Sequence, residues 1–221
     1  MWRNADEIGD WRLEIEGSAL YSLIARLFLL LLSFTLLAGC RQVAPTVKIG
    51  LVAPFEGRER AVGYDAIYAA RLAIRELNET ANAGEFRVAL VALDDGGDAQ
   101  LAREAAATLV ADPDVMIVLG HWLPETTTAA AEIYERAGLP LVVLGEPPLE
   151  TRDPAGLSAS FRQAYAAVTP FDETAGPYAG ATYDGVWLAL HALEVAESEG
   201  TISREDVAIT LERLQYETQY E

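Results

Sequence analysis

Hydrophobic and polar positions switch between two periods along the chain. Val47-Lys48-Ile49-Gly50-Leu51-Val52 is a strand-like apolar run. It gives way to a segment with Ile67, Ala70, Ile74 and Leu77 at helical spacing and with Arg71, Arg75 and Glu79 on its other faces. A second strand is predicted over Phe86–Leu93, followed by a helix with an apolar stripe of Ala102, Ala105, Ala106, Leu109 and Val110. The third pair is Val115–Leu119 and a helix carrying Ala130, Ile133, Tyr134 and Ala137, stopped by Gly138. Leu141–Leu144 reads as a fourth strand, ended by Gly145-Glu146-Pro147-Pro148. After Pro148 no further strand is predicted. A short helix near Ser158–Ala167 precedes a longer one with Tyr183, Val186, Trp187, Leu190 and Leu193 on one stripe. A last helix opens at Ser203-Arg204-Glu205-Asp206, a capping-box pattern, and buries Val207, Leu211 and Leu214. Alternating strands and helices with short connections predict an α/β fold, a parallel sheet with helices on both faces.

Ahead of this region, Leu27–Ala38 is a run of mostly apolar residues, within the length of a signal-peptide core and short of the about 20 residues that span a bilayer. Arg26 flanks it. It ends in Leu37-Ala38-Gly39-Cys40, which is similar to the lipobox of bacterial lipoproteins, where the cysteine is lipidated and becomes the mature N-terminus. The alternative is a buried free cysteine after an ordinary apolar segment. Residues 1–25 are acidic, with Asp6, Glu7, Asp10, Glu14 and Glu16 against Arg3 and Arg12, where a leader should be positive. The expectation is a true start near Leu20, and a precursor peptide beginning at Met1 would overturn it. The chain then divides into a leader over residues 1–40, a tether over 41–46 and one lobe over 47–216.

Composition narrows the function. Among 221 residues, 34 Asp and Glu outweigh 16 Lys and Arg, a formal charge of −18. That excludes a nucleic-acid partner, which needs a basic face. The single cysteine and two histidines, His121 and His191, rule out an intrachain disulfide and a cysteine-ligated zinc site. No GxSxG, P-loop or GxGxxG occurs, so no enzyme is expected, and no cofactor or metal. Asp94, Asp95 and Asp98 lack EF-hand spacing, and Asp98 stands where an N-cap belongs. A receiver domain would need a late lysine, but the one lysine, Lys48, is inside the first strand. His191 is read as a partly buried structural residue.

In an open parallel sheet, ligands bind at the carboxyl ends of the strands, where strand order reverses. With the order 2-1-3-4 the candidates are Phe55, Glu56 and Gly57 in the first loop, and His121, Trp122, Glu125 and Thr126 in the third. Gly145 and Glu146 follow the fourth strand. Free amides at the helix start after Trp122 suit an anionic group, and Glu56, Glu125 and Glu146 suit a positive charge on the same ligand. The alternative is a set of solvated loop acids beside a partly buried aromatic.

These loops also carry a family resemblance. Leu51-Val52-Ala53-Pro54-Phe55-Glu56-Gly57, Gly63 and Ala73-Ile74-Arg75-Glu76-Leu77-Asn78 resemble the opening of type I periplasmic binding proteins of the leucine/isoleucine/valine-binding family. Leu93-Asp94-Asp95, Gly120-His121 with Thr126-Thr127, Ile133–Pro140 and Ala181-Thr182-Tyr183-Asp184-Gly185-Val186 agree in order and spacing. The resemblance implies a three-layer, flavodoxin-like lobe that captures amino acids or related small molecules and hands them to ABC permease subunits. It also implies an extracytoplasmic protein, held on a bacterial membrane by the lipid at Cys40. Two positions depart from the pattern. Glu150–Gly156 leads straight into the returning helices, so the family's second lobe is expected to be absent, and a second copy or a partner would supply it. Pro124 and Pro147 stand where amino-acid binders of the family carry hydroxyl residues, and proline offers no donor. From a different class, the alternative is a protein-interaction module on the same lobe, which an exposed apolar patch around Phe55 and Trp122 would favour.

Overall fold

The computed structural model describes residues 21–30, 44–80, 86–200 and 202–220. The chain divides between Val43 and Ala44 into two units, each described by itself. In the first, residues 21–30 form helix α1. Cys40, the rest of the expected leader and residues 41–43 of the tether lie outside the described residues. Among the described residues, no helix is long and apolar enough to cross a membrane.

The second unit runs β1 (Thr46–Ala53), α2 (Arg60–Thr80), β2 (Arg87–Asp94), α3 (Ala99–Ala111), β3 (Val115–Leu119), α4 (Pro124–Arg136) and β4 (Leu141–Val142), then α5 (Ala159–Ala166), α6 (Ala179–Glu199) and α7 (Arg204–Tyr220). The strands form one parallel sheet in the order β2-β1-β3-β4, as the alternating pattern predicts. β1 is central because its side chains feed two cores. Val47, Ile49, Leu51 and Ala53 point to the side covered by α2, α6 and α7, with Ala66, Ala70, Leu190, Leu193 and Val207 buried against them. Val52 points to the other side, where Ala102, Ala106 and Leu109 of α3 and Ala130 and Tyr134 of α4 close over it. Gly50 is small because α3 lies directly on it: a Cβ there would stand 2.8 Å from Leu109 Cδ1.

The amino ends of the strands are tied by charge. Lys48 Nζ lies 2.9 Å from Asp112 Oδ2 and 3.0 Å from Asp114 Oδ2, and these contacts raise its pKa above the ordinary lysine value. Arg204 reaches from the start of α7 to Val115 O at 2.9 Å and Asp112 O at 2.6 Å, filling carbonyls left open past the end of α3. The predicted cap of α7 forms: Ser203 Oγ accepts from the Asp206 N–H at 3.2 Å.

Three expectations are corrected. β4 stops at Val142, not Leu144, because β3 ends at Leu119 and leaves no partner for residues 143–144. Val186, Leu190 and Leu193 of the predicted α6 stripe are buried, but small residues and not its two aromatics complete the face on the sheet. A Cβ on Gly185 would stand 2.9 Å from Leu144 Cδ2, while Tyr183 and Trp187 are only half-buried on the flank. His191 faces solvent, its side chain 57% exposed and 3.7 Å from Glu194.

Candidate functional site

The loops after the four strands are braced to one another at the carboxyl end of the sheet. In the first, the Phe55 N–H donates to Asp94 Oδ1 at 2.7 Å, and the same oxygen accepts from Gly96 N–H at 2.8 Å. Gly63 lets α2 start against this loop, since a Cβ would stand 2.6 Å from both Phe55 Cδ1 and Pro54 O. In the second, Asp98 caps α3 by accepting from Gln100 and Leu101 N–H, which holds its carboxyl below the usual carboxylate range. Asp94 and Asp98 thus hold backbone amides, and among the described residues there is no group of three or more His, Cys, Asp or Glu side chains placed to hold a metal ion.

The third loop turns inward. Gly120 has φ +133°, and a Cβ there would stand 2.3 Å from Val52 O, so only glycine fits. His121 follows with no solvent exposure. Its Nδ1 lies 2.8 Å from Asp95 Oδ2 and its Nε2 3.3 Å from Tyr134 OH. Asp95 is equally buried and also accepts from Gly97 N–H at 3.0 Å. Burial, then the nearby Asp95 charge, pushes the Tyr134 hydroxyl pKa well above its ordinary value. Helix α4 begins with Pro124 and has no side-chain cap, so Glu125 and Thr126 N–H have no partner within the helix.

The fourth loop packs on the third. Gly145 has φ +90°, and a Cβ would stand 2.7 Å from Trp122 O. Trp122 is 6% exposed, edge-on to Tyr178 at 5.1 Å between ring centroids, and its indole N–H has no hydrogen-bond partner. Tyr178 opens α6, where Asp65 of α2 accepts from Tyr178 N–H at 3.2 Å. Desolvation raises the Asp65 carboxyl pKa despite that bond and a second from Gly176 N–H. A Cβ on Gly176 would stand 2.1 Å from Asp65 Oδ2, so the carboxylate needs a glycine to reach the turn.

Of the predicted ligand residues, Glu56, Gly57, Glu125, Gly145 and Glu146 are exposed and Phe55 is half-buried. Four expectations are corrected. His121 faces the interior, because Asp95 and Tyr134 engage both of its ring nitrogens. Trp122 is core rather than surface, so no exposed patch forms around it and Phe55. Thr126 is buried, with its hydroxyl bonded back to Leu123 O at 2.9 Å. Gly145, a candidate ligand residue, has its N–H turned to Leu149 O at 2.9 Å and not to the open face. Asp65 and Arg204 were not predicted. The short gap from Asp65 to the helical stripe gave no sign that its partners lie more than a hundred residues away.

A parallel α/β lobe with its strand-end loops gathered on one open face is the architecture of ligand-capturing lobes. The chain belongs to the periplasmic binding protein family, whose profile matches residues 46–160. It is 28% identical over 116 residues to an amino acid binding protein of Pseudomonas aeruginosa, covering 52% of this chain and 31% of that protein. It is likewise 28% identical over 110 residues to Leu/Ile/Val-binding protein homolog 7 of Brucella melitensis, covering 50% and 27%. The chain therefore matches about a third or less of the length of these relatives. Among solved structures, the fold is similar to the branched-chain amino acid substrate-binding protein LivJ of Streptococcus pneumoniae, solved with isoleucine. The TM-score is 0.61 at 14% identity, covering 75% of this chain and 87% of that one. A leucine-binding protein, LivK, of Thermotoga maritima gives 0.59 at 14% identity, with coverage of 75% and 87%.

Proposed function

We propose that this chain is an extracytoplasmic solute-binding lobe of an ABC transport system for amino acids or related small polar molecules, held on the membrane by lipid at Cys40. The observation that carries this reading is the bracing of the strand-end loops on one another, with Glu56, Glu125 and Glu146 exposed on the loops after β1, β3 and β4 and with α4 opening uncapped at Pro124. Free amides at a helix start favour a carboxylate, and the three acids favour an ammonium group on the same ligand. The chain passes from β4 to α5 within residues 143–158, so the opposite wall of the site comes from a second copy or a partner. Permease subunits receive the solute.

The test is thermal unfolding of the full chain in mild detergent, with each amino acid added singly. A ligand at 100 times its Kd adds about 2.7 kcal/mol to the folded state, which raises Tm by several degrees. A cooperative melt that no amino acid or small polar metabolite moves would sink the solute-binding reading. It would favour a module whose loop face meets another protein. Mass spectrometry of the membrane fraction tests the anchor, and an unmodified Cys40 thiol would overturn that part.

A further inference from the structure

β2 is an open edge. Its inner side pairs with β1 from Arg87 to Asp94, and among the described residues no strand lies on its outer side. In a parallel ladder, successive residues turn their backbone groups alternately to one neighbour and the other. Arg87 N–H donates to Pro45 O at 2.8 Å. That assigns Arg87, Ala89, Val91 and Leu93 to β1 and turns Val88, Leu90 and Ala92 outward. Val88 is already occupied: Asn78 Nδ2 donates to its carbonyl at 2.9 Å, and Asn78 Oδ1 accepts from its N–H at 3.0 Å. Among the described residues, no such cover lies over the backbone of Leu90 and Ala92. Edge strands are ordinarily guarded by charges, proline or a bulge. Here residues 88–93 are all apolar, residues 89–93 are each half-buried, and the charges sit only at the exposed ends, Arg87 and Asp94.

We propose that this edge pairs with β2 of a second copy, antiparallel, about a two-fold axis at Val91. An edge contact that closes on itself with two-fold symmetry must be antiparallel. In this register Leu90 exchanges both backbone bonds with the partner's Ala92, and Ala92 with the partner's Leu90, while Val88, held by Asn78, falls opposite the partner's Asp94, so the paired stretch is residues 89–93 and the strands part beyond it. It sets the Arg87 end of each strand beside the Asp94 end of the other, opposite charges at both ends. A register shifted toward the amino end would bring Ala92 against the occupied Val88. The pairing uses the side of the sheet and not its carboxyl end, so it stands or falls independently of the solute-binding reading.

Sedimentation of the full chain carrying Cys40→Ser, in mild detergent, should show a dimer. Ala92→Pro removes an outward N–H without touching the β1 ladder, so it should give a monomer with unchanged circular dichroism. Val91→Cys should cross-link to its own copy under mild oxidant, whereas Ala89→Cys, which faces the partner's Leu93, should not. The cysteine pair decides the matter even if Ala92→Pro fails to fold. A monomeric parent would overturn the proposal and leave the edge to a strand from a different protein. A folded Ala92→Pro dimer, or cross-linking at Ala89 equal to that at Val91, would overturn it as well.

Discussion

Asp95→Ala removes the acceptor of two donors at a site with no solvent exposure, Gly97 N–H at 3.0 Å and the His121 ring at 2.8 Å. A buried donor left unpaired costs about 1–3 kcal/mol. Gly97 is half-buried and its amide can turn to water, so it belongs at the low end. The His121 ring has no water to meet and belongs at the high end. The expected loss is therefore about 3–4 kcal/mol, a large part of the about 5–15 kcal/mol that holds a domain together. Urea unfolding followed by circular dichroism measures it as a lower midpoint with an unchanged m. The double variant Asp95→Ala/His121→Leu replaces both partners by apolar groups and should recover about 1–2 kcal/mol relative to the sum of the single changes. A single-variant loss under about 1 kcal/mol, or strict additivity in the double, would refute the claim that this pair braces the loops.

The remaining predictions concern pH, backbone and the far end of the fold. Desolvation raises the Asp65 pKa above 3.8, so the folded state holds that proton more tightly than the unfolded one. The stability this contributes is present below 3.8 and is lost as pH rises through the folded value. Parent stability should therefore fall relative to Asp65→Asn over that window in urea titrations, and an opposite slope would contradict the assignment. Gly120→Ala forces a side chain into φ +133° and sets its Cβ 2.3 Å from Val52 O. It should cost at least about 3 kcal/mol by thermal melting, more than backbone strain alone. Arg204→Ala leaves the carbonyls of Val115 and Asp112 without their donor. It should cost about 2 kcal/mol and speed hydrogen exchange in α7 first.

The sheet was legible because its signals are local and redundant. Four apolar runs, each followed by a helical stripe or a glycine-proline stop, leave one economical topology, and Asp98 and Ser203 mark helix starts by side-chain chemistry alone. The site was legible only as a set of loops. Whether His121 points outward depends on Asp95 and Tyr134, which sit on other elements and meet it only after the sheet is assembled. The same holds for Trp122, whose burial depends on Tyr178, contributed by the opening of α6. His191 was misplaced because it borders the stripe: Leu190, Ala192 and Leu193 beside it are buried, while its own side chain turns out toward Glu194.

The loop-to-loop braces have a kinetic meaning. Phe55 is tied to Asp94, Asp95 to His121, and Gly145 rests on Trp122, while Gly120 sits against the backbone of β1. None of the four loops can shift far without dragging the central strand. On the solute-binding reading proposed above, such a surface arrives at an encounter already shaped, with little left to order, and capture is limited by diffusion and orientation more than by rearrangement. On the same reading, how long a guest stays is decided elsewhere, by whatever closes over it from the opposite side.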